Sequence, residues 1–307
     1  MQAISEAIGS VACGLLQTYR NLTVTPLLAS GTEAADYLTL DEALVKSTIR
    51  VTEIPEVANA SELYLENHTQ RAVLLLDGEE LVGAMQNRVL NLSVLASAFK
   101  AVTIPVTCVE SGRWSLSTPD FHSESRAFYA AGRAQNAEQV TEALRIAGSR
   151  KSCQQAVWRD IEDKLARMES QTHSGAMSAM YEDYATALKG YIEAFESVPN
   201  QAGAIFQINE QVCGLELFDS PATSRKLMPK LIQSYALDAL DDWGEVTPTI
   251  SNTNFLNIVA DTPTQQFPSV GEGDDIRFIS KRVVGGALFV RDRIIHVAAF
   301  LLKRRRN

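Results

Sequence analysis

Strand-like patterning fills the chain from residue 14 to 118, helical patterning takes over from 123 to 198, and the two mix from 201 to 307. That order constrains the fold more than any other feature. A doubly wound parallel sheet needs strands and helices to alternate throughout, and here they do not. The pattern predicts a single α+β domain over 1–307, with an antiparallel β-rich core (a meander or sandwich) and a central helical segment. A chain of 307 residues is long enough to bury such a core.

The most legible part begins at Ala72-Val73-Leu74-Leu75-Leu76, a continuous apolar run that predicts a strand buried on both faces. Asp77-Gly78 follows, a dipeptide suited to the positive φ angles of a type I′ hairpin turn. Upstream, Thr39 precedes Leu40-Asp41-Glu42 and predicts a helix N-cap with acids in its first turn. Strands are expected at 49–54 and 62–66. Helices are expected from Asn136 to Ala147, from a Ser152 cap, and along the stripe Met177, Tyr181, Tyr184, Leu188, Tyr191, Phe195. A hairpin is expected through Asn209-Glu210, and a helix from Ser220-Pro221 to Leu240 that Pro229 limits or kinks. Gly285-Gly286, set between apolar runs, predicts a strand bend.

Apolar residues make up 46% of the chain and charged residues 21%, as in globular proteins. The formal charge of −9 argues against coating nucleic acid, since phosphate repels an acidic surface. The one dense basic run, Lys303 to Arg306, reads as a solvated tail. Cys13, Cys108, Cys153 and Cys213 form no CxxC, and His68, His122, His173 and His296 form no HxxxH or HExxH, which argues against zinc. No metal ligand set is predicted, and the sequence leaves any cofactor unnamed. His296, alternating with apolar neighbours, reads as a satisfied core or interface histidine. No run of eighteen apolar residues and no leader pattern occurs, so a cytoplasmic protein without a membrane partner is expected. GxGxxG, GxxxxGK[ST] and GxSxG are all absent.

The polar groups with chemical potential cluster between Asp77 and Trp114. Glu79 and Glu80 follow the Asp-Gly turn, and Gln86, Asn87 and Arg88 come shortly after. On a continuous strand, positions two apart share a face, so Glu80, Gln86 and Arg88 should project together while Glu79 and Asn87 project opposite. A carboxylate can accept from sugar hydroxyls or act as a base, an amide can fix a base or ribose edge, and arginine can clamp phosphate. The plainer alternative is that Glu80 and Arg88 form a solvated cross-strand pair. A second polar knot follows a strand end: Glu110, Arg113 and Trp114, the last able to stack on a base. Its plainer alternative is a strand end packed by Trp114. Glu53 and Asn67 are further strand-end polar residues that could join the site. Cys108 has no neighbour in sequence that would lower its pKa.

These residues carry a resemblance. Tyr37-Leu38-Thr39-Leu40-Asp41-Glu42-Ala43-Leu44, then Leu74 to Ala84 with Gln86-Asn87-Arg88 and Asn91, then Ile104-Pro105-Val106, Cys108-Val109-Glu110 and Gly112-Arg113-Trp114 resemble the bacterial ARG-and-rhodanese-phosphatase-associated proteins. ARG there stands for ADP-ribosylglycohydrolase. Further similarity lies at Gln154 to Trp158, at Gly203 and at Gly214 to Phe218. It covers most of the chain and is densest from 37 to 114. One departure is Met85, where the pattern leads one to expect a lysine, and this takes a cation from an expected anion site.

The resemblance implies a protein that binds or processes ADP-ribose or another NAD-derived signalling nucleotide, in a bacterial defence or conflict setting. Glu79, Glu80 and Glu110 are then the candidate catalytic acids. Gln86, Asn87, Arg88, Arg113 and Trp114 are the candidate ligand-binding residues. The expected partners are a small-molecule nucleotide and further copies of the chain. The alternative is a non-catalytic assembly module that partners a neighbouring enzyme.

Overall fold

A computed structural model describes residues 2–31, 34–54, 61–115, 117–241 and 250–302. The basic run 303–306 lies outside them. The chain is α+β, as its patterning predicts, and its contacts group it into two compact units. One takes residues up to 35, 188–269 and 273 onward; the other takes 36–187 and 270–272. Among the described residues no helix is long and apolar enough to cross a membrane.

The first unit is built on a nine-stranded antiparallel sheet. Its central strands are Leu22–Ala29, Gln201–Ile208, Gln211–Phe218, Arg293–Leu301 and Val283–Val290. Leu215, Leu217, Val297 and Ala299 share one face, which packs with Ile4 and Ile8 of the helix Gln2–Gly9 and with Phe255 and Val259 of Asn252–Asp261. On the other face the helix Pro221–Leu240 lays Tyr235 flat on Phe206, with ring centroids 3.9 Å apart. That helix begins as expected, with Ser220 accepting from the Ala222 amide and Pro221 in the first turn, and it continues through Pro229.

The turn between Gln201–Ile208 and Gln211–Phe218 is the Asn209-Glu210 turn expected from sequence, both residues having positive φ (50° and 64°). Gly285 and Gly286 lie inside the strand Val283–Val290, whose pairing shifts register between Leu288 and Phe289. Both glycines leave room for neighbours. A Cβ at Gly285 would lie 2.3 Å from the Phe278 ring, and one at Gly286 would lie 2.2 Å from Arg277 Nη1. His296 is partnered as expected: its Nε2 lies 3.0 Å from Glu216 Oε2, and its ring stacks on Phe218 at 4.7 Å.

The second unit carries the stretch of interest. Six antiparallel strands run in the order Phe121–His122, Glu80–Gly83, Arg88–Leu90, Ala101–Cys108, Glu62–Asn67, Ile49–Thr52. The sheet curls almost into a barrel, and its two ends are joined by the Arg50–Asp120 ion pair at 3.0 Å. A smaller sheet sets Ala72–Leu75 between Val94–Ala96 and the parallel strand Tyr37–Thr39. Thr39 then caps the helix Leu40–Val45, as its sequence predicts, and the structure adds the reciprocal Glu42 bond that makes a capping box.

Three helical expectations shift. The helix expected from Asn136 starts six residues earlier, as Ala130–Ala147, and buries Asn136. Cys153 rather than Ser152 precedes the helix Gln154–Arg167, because the Ser152 hydroxyl is bonded to Gln139 at 2.9 Å. The aromatic stripe from Met177 divides at Tyr184 into Ser178–Asp183 and Ala185–Ala194.

Candidate functional site

The buried strand Ala72–Leu75 delivers the chain to Asp77-Gly78, but not into a type I′ hairpin. Ala72–Leu75 pairs with Val94–Ala96 and Tyr37–Thr39, whereas Glu80–Gly83 pairs with Arg88–Leu90. The Glu79 amide bonds back to Leu76 O at 3.1 Å, and within this turn only Gly78 has positive φ (79°). A single positive φ at the third position is the requirement of a type II turn. Glu79 closes the turn from within, its Oε2 accepting from the Leu76 amide at 2.7 Å. Asp77 accepts from Arg133 at 3.0 and 3.1 Å, and the Arg133 side chain lies across Gly78.

Arg126 reaches Glu80 because its segment runs beside the turn. The Glu80 amide donates to Arg126 O at 3.1 Å and the Phe128 amide to Gly78 O at 2.7 Å. The Arg126 guanidinium ion-pairs with Glu80 Oε2, and Asn87 Nδ2 donates to Glu80 Oε1 at 3.4 Å. Burial pushes the Glu80 carboxyl above its ordinary pKa, further than the Arg126 charge and hydrogen bond pull it back.

Glu110 is the hub of the same chain of bonds. Burial raises its pKa too, but hydrogen bonds from Arg113, Ser174 and the Asn87 amide outweigh this and hold it below the ordinary value. Its Oε2 takes Arg113 Nη2 at 2.6 Å, Arg113 Nε at 2.9 Å and Asn87 N at 3.1 Å, while Oε1 accepts from Ser174 Oγ at 2.8 Å. Arg113 also donates to Asn87 Oδ1 at 3.0 Å and to Ala84 O at 2.8 Å. The result is one continuous, partly buried array, Arg126–Glu80–Asn87–Arg113–Glu110–Ser174.

Arg88 and Gln86 form a different group. Arg88 Nη1 donates to Gln86 Oε1 and Nη2 to Glu53 Oε1, both at 3.3 Å. Among the described residues Gln86 Nε2 and Arg88 Nε have no hydrogen-bond partner, although both atoms are buried. Cys108 stands opposite Arg88 in the strand register, and burial pushes its thiol up to about 11, so it is no nucleophile at neutral pH.

The face sharing expected of Glu80, Gln86 and Arg88 is corrected. Glu80 pairs with Val89 and Leu81 with Arg88, so Glu80 and Arg88 point to opposite faces of the sheet. The counting fails because the strand is not continuous. It turns at Gly83 and Ala84, both at positive φ, and residues 84–87 are not strand. Glu80 and Arg88 are therefore not a cross-strand pair; each takes a partner from elsewhere in the chain.

Six of the eight candidate residues are buried, Arg113 is partly exposed, and Trp114 is 58% exposed. Glu53, a secondary candidate, joins the site through Arg88, while Asn67 serves the loop after its strand, accepting from the Thr69 amide at 2.9 Å. Sequence reading missed Arg126, Arg133 and Ser174. The only signal for the two arginines is charge complementarity with the Asp77-Gly78-Glu79-Glu80 acids, and Ser174 carries none.

Chemically, the array around Glu110 is saturated, and a buried charge so fully bonded fixes geometry. The Arg88–Gln86 group is not saturated. Two of its donors, Arg88 Nε and Gln86 Nε2, are buried without a partner among the described residues, which suits them to an acceptor-rich ligand. Fold and site together define an α+β protein with a rigid ionic framework beside an under-bonded guanidinium–amide pair. The chain belongs to the family of the ARG and Rhodanese-Phosphatase-superfamily-associated Protein domain (ARPP-1), whose model matches residues 10–300. No curated protein and no solved structure matches it.

Proposed function

We propose that this protein binds an ADP-ribose-type or related NAD-derived nucleotide, with phosphoryl oxygens accepting from Arg88 and Gln86. The observation that carries the reading is the pair of buried, unmatched donors, Arg88 Nε and Gln86 Nε2. Leaving such donors unbonded costs about 1–3 kcal/mol each, a cost that an anionic ligand removes. The family's named association with ADP-ribosylglycohydrolase supports this nucleotide class. Binding is favoured over catalysis, because Glu79 is tied to its own turn and Glu110 holds four hydrogen bonds. Of the three candidate acids, Glu80, with its raised pKa, is the one suited to donate a proton. The role in defence rests on the resemblance alone.

A thermal-shift series with ADP-ribose, NAD and cyclic ADP-ribose tests the proposal. Ligand at about a hundred times its Kd stabilises by about 2.7 kcal/mol. The shift should disappear in Gln86→Ala and Arg88→Met. No shift with any of the three at millimolar ligand overturns it, and leaves the assembly-module alternative to be tested by light scattering.

A further inference from the structure

We infer that Glu53 is a resident substitute for the ligand's anion: its carboxylate occupies Arg88 in the free protein and must swing away when a phosphoryl group binds. The inference rests on the reading of Arg88 and Gln86 as ligand-binding residues, and adds to it how that site is kept and what it selects.

Two arginines of this unit show the contrast. Arg113 holds Glu110 Oε2 through two nitrogens at 2.6 and 2.9 Å, the short contacts of a strong ion pair. Arg88 holds Glu53 through one nitrogen at 3.3 Å and has a second bond of 3.3 Å to the Gln86 carbonyl oxygen. Its side chain is only 2% exposed, so water is a poor substitute for the missing bonds. A guanidinium in that position needs a counter-charge, and a single long contact supplies it weakly.

Glu53 is placed to leave. It lies just beyond the strand Ile49–Thr52, its side chain is 27% exposed, and the Arg88 contact is its hydrogen bond among the described residues. Rotating outward hydrates its carboxylate and frees Arg88 Nη2. A phosphoryl group can then present two oxygens, one to Arg88 Nε and Nη2 and one to Gln86 Nε2. Glu53 thereby sets a threshold. A ligand with a single weak acceptor cannot displace it, whereas a pyrophosphate, with several anionic oxygens on adjacent phosphorus atoms, can. The site thus favours pyrophosphate-bearing nucleotides over nucleosides and neutral sugars.

Calorimetric titration of the wild type, Glu53→Gln and Glu53→Asp with ADP-ribose, and with inorganic pyrophosphate as a second probe, tests this. Glu53→Gln keeps the shape and removes the competing charge, and should bind both probes about tenfold more tightly, a change of about 1.4 kcal/mol. Glu53→Asp keeps a charge near Arg88, protecting the fold, but withdraws it by one methylene; it should fall between the other two. Equal affinity in wild type and both variants, or weaker binding by Glu53→Gln and Glu53→Asp alike, overturns the inference and leaves the proposed function standing. Absence of binding by all three proteins to both probes overturns the two together.

Discussion

Glu80 and Glu110 both bond to Asn87, one through its side-chain amide at 3.4 Å and the other through its backbone N–H at 3.1 Å, yet their pKa values move in opposite directions. The difference lies in bonding. Glu110 gathers four donors, which outweigh its burial. Glu80 has Arg126 and one long amide bond, sits deeper, and feels the Glu110 charge as well.

Opposite shifts predict opposite pH dependence. For Glu110, depressed when folded, the stabilisation is present above the ordinary glutamate pKa and is lost as pH falls through its own lower value. For Glu80, raised when folded, the contribution is complete below the ordinary value and is lost as pH rises through its own higher one. Urea unfolding from about pH 3 to 8 should show the wild type gaining on Glu110→Gln as pH rises, and losing ground to Glu80→Gln. Differences of the same sign would refute the assignment.

The two arginines should differ in what they contribute to stability. Arg113→Met strips Glu110 of its charged partner and removes one donor each from Asn87 Oδ1 and Ala84 O, so it should cost about 3–5 kcal/mol. Arg88→Met removes a buried charge with two long bonds and returns Glu53 to water; its cost should be under about 1 kcal/mol while ligand binding is lost. Thermal unfolding of the pair decides it. Equal losses would mean that Arg88 is a structural residue.

Gly78 is required twice over, by φ of 79° and by Arg133, whose Cδ would lie 2.7 Å from an added Cβ. Gly78→Ala should therefore destabilise by about 2–3 kcal/mol. Gly148, at φ of 63° with open space around it, is the control. Gly148→Ala should cost only about 1 kcal/mol, the left-handed backbone alone. Chemical denaturation of both isolates the Arg133 clash, and identical costs would show that Arg133 simply moves aside.

Gln154, the first residue of its helix, completes the end of Ala101–Cys108. Its Oε1 accepts from the Cys108 amide at 2.9 Å and its Nε2 donates to Cys108 O at 2.7 Å. Gln154→Ala should cost about 2 kcal/mol and speed hydrogen exchange at the Cys108 amide. Gln154→Glu keeps the acceptor but turns a carboxylate oxygen on the Cys108 carbonyl, and should be worse than Gln154→Ala. Unchanged exchange in Gln154→Ala would remove the amide from this role.

Short-range signals made much of the fold legible. The apolar run at Ala72 reported burial, Thr39 signalled a helix cap, Asn209-Glu210 marked a turn, and Ser220-Pro221 opened a helix. Each depends on atoms within a few residues, so the sequence by itself determined them. It also marked 77–114 as the polar stretch, since buried charges must be written into the chain wherever they stand.

Only the tertiary structure decided what those charges do. Glu80 meets Arg126 across 46 residues, Glu110 meets Ser174 across 64 and Arg88 meets Glu53 across 35. No local spacing encodes such pairings. They follow from which segments the curled sheet brings side by side, and from a turn at Gly83-Ala84 that sends Glu80 and Arg88 to opposite faces. A buried ion takes the partner that the packing supplies, because leaving the charge unpaired costs more than any local preference can offset.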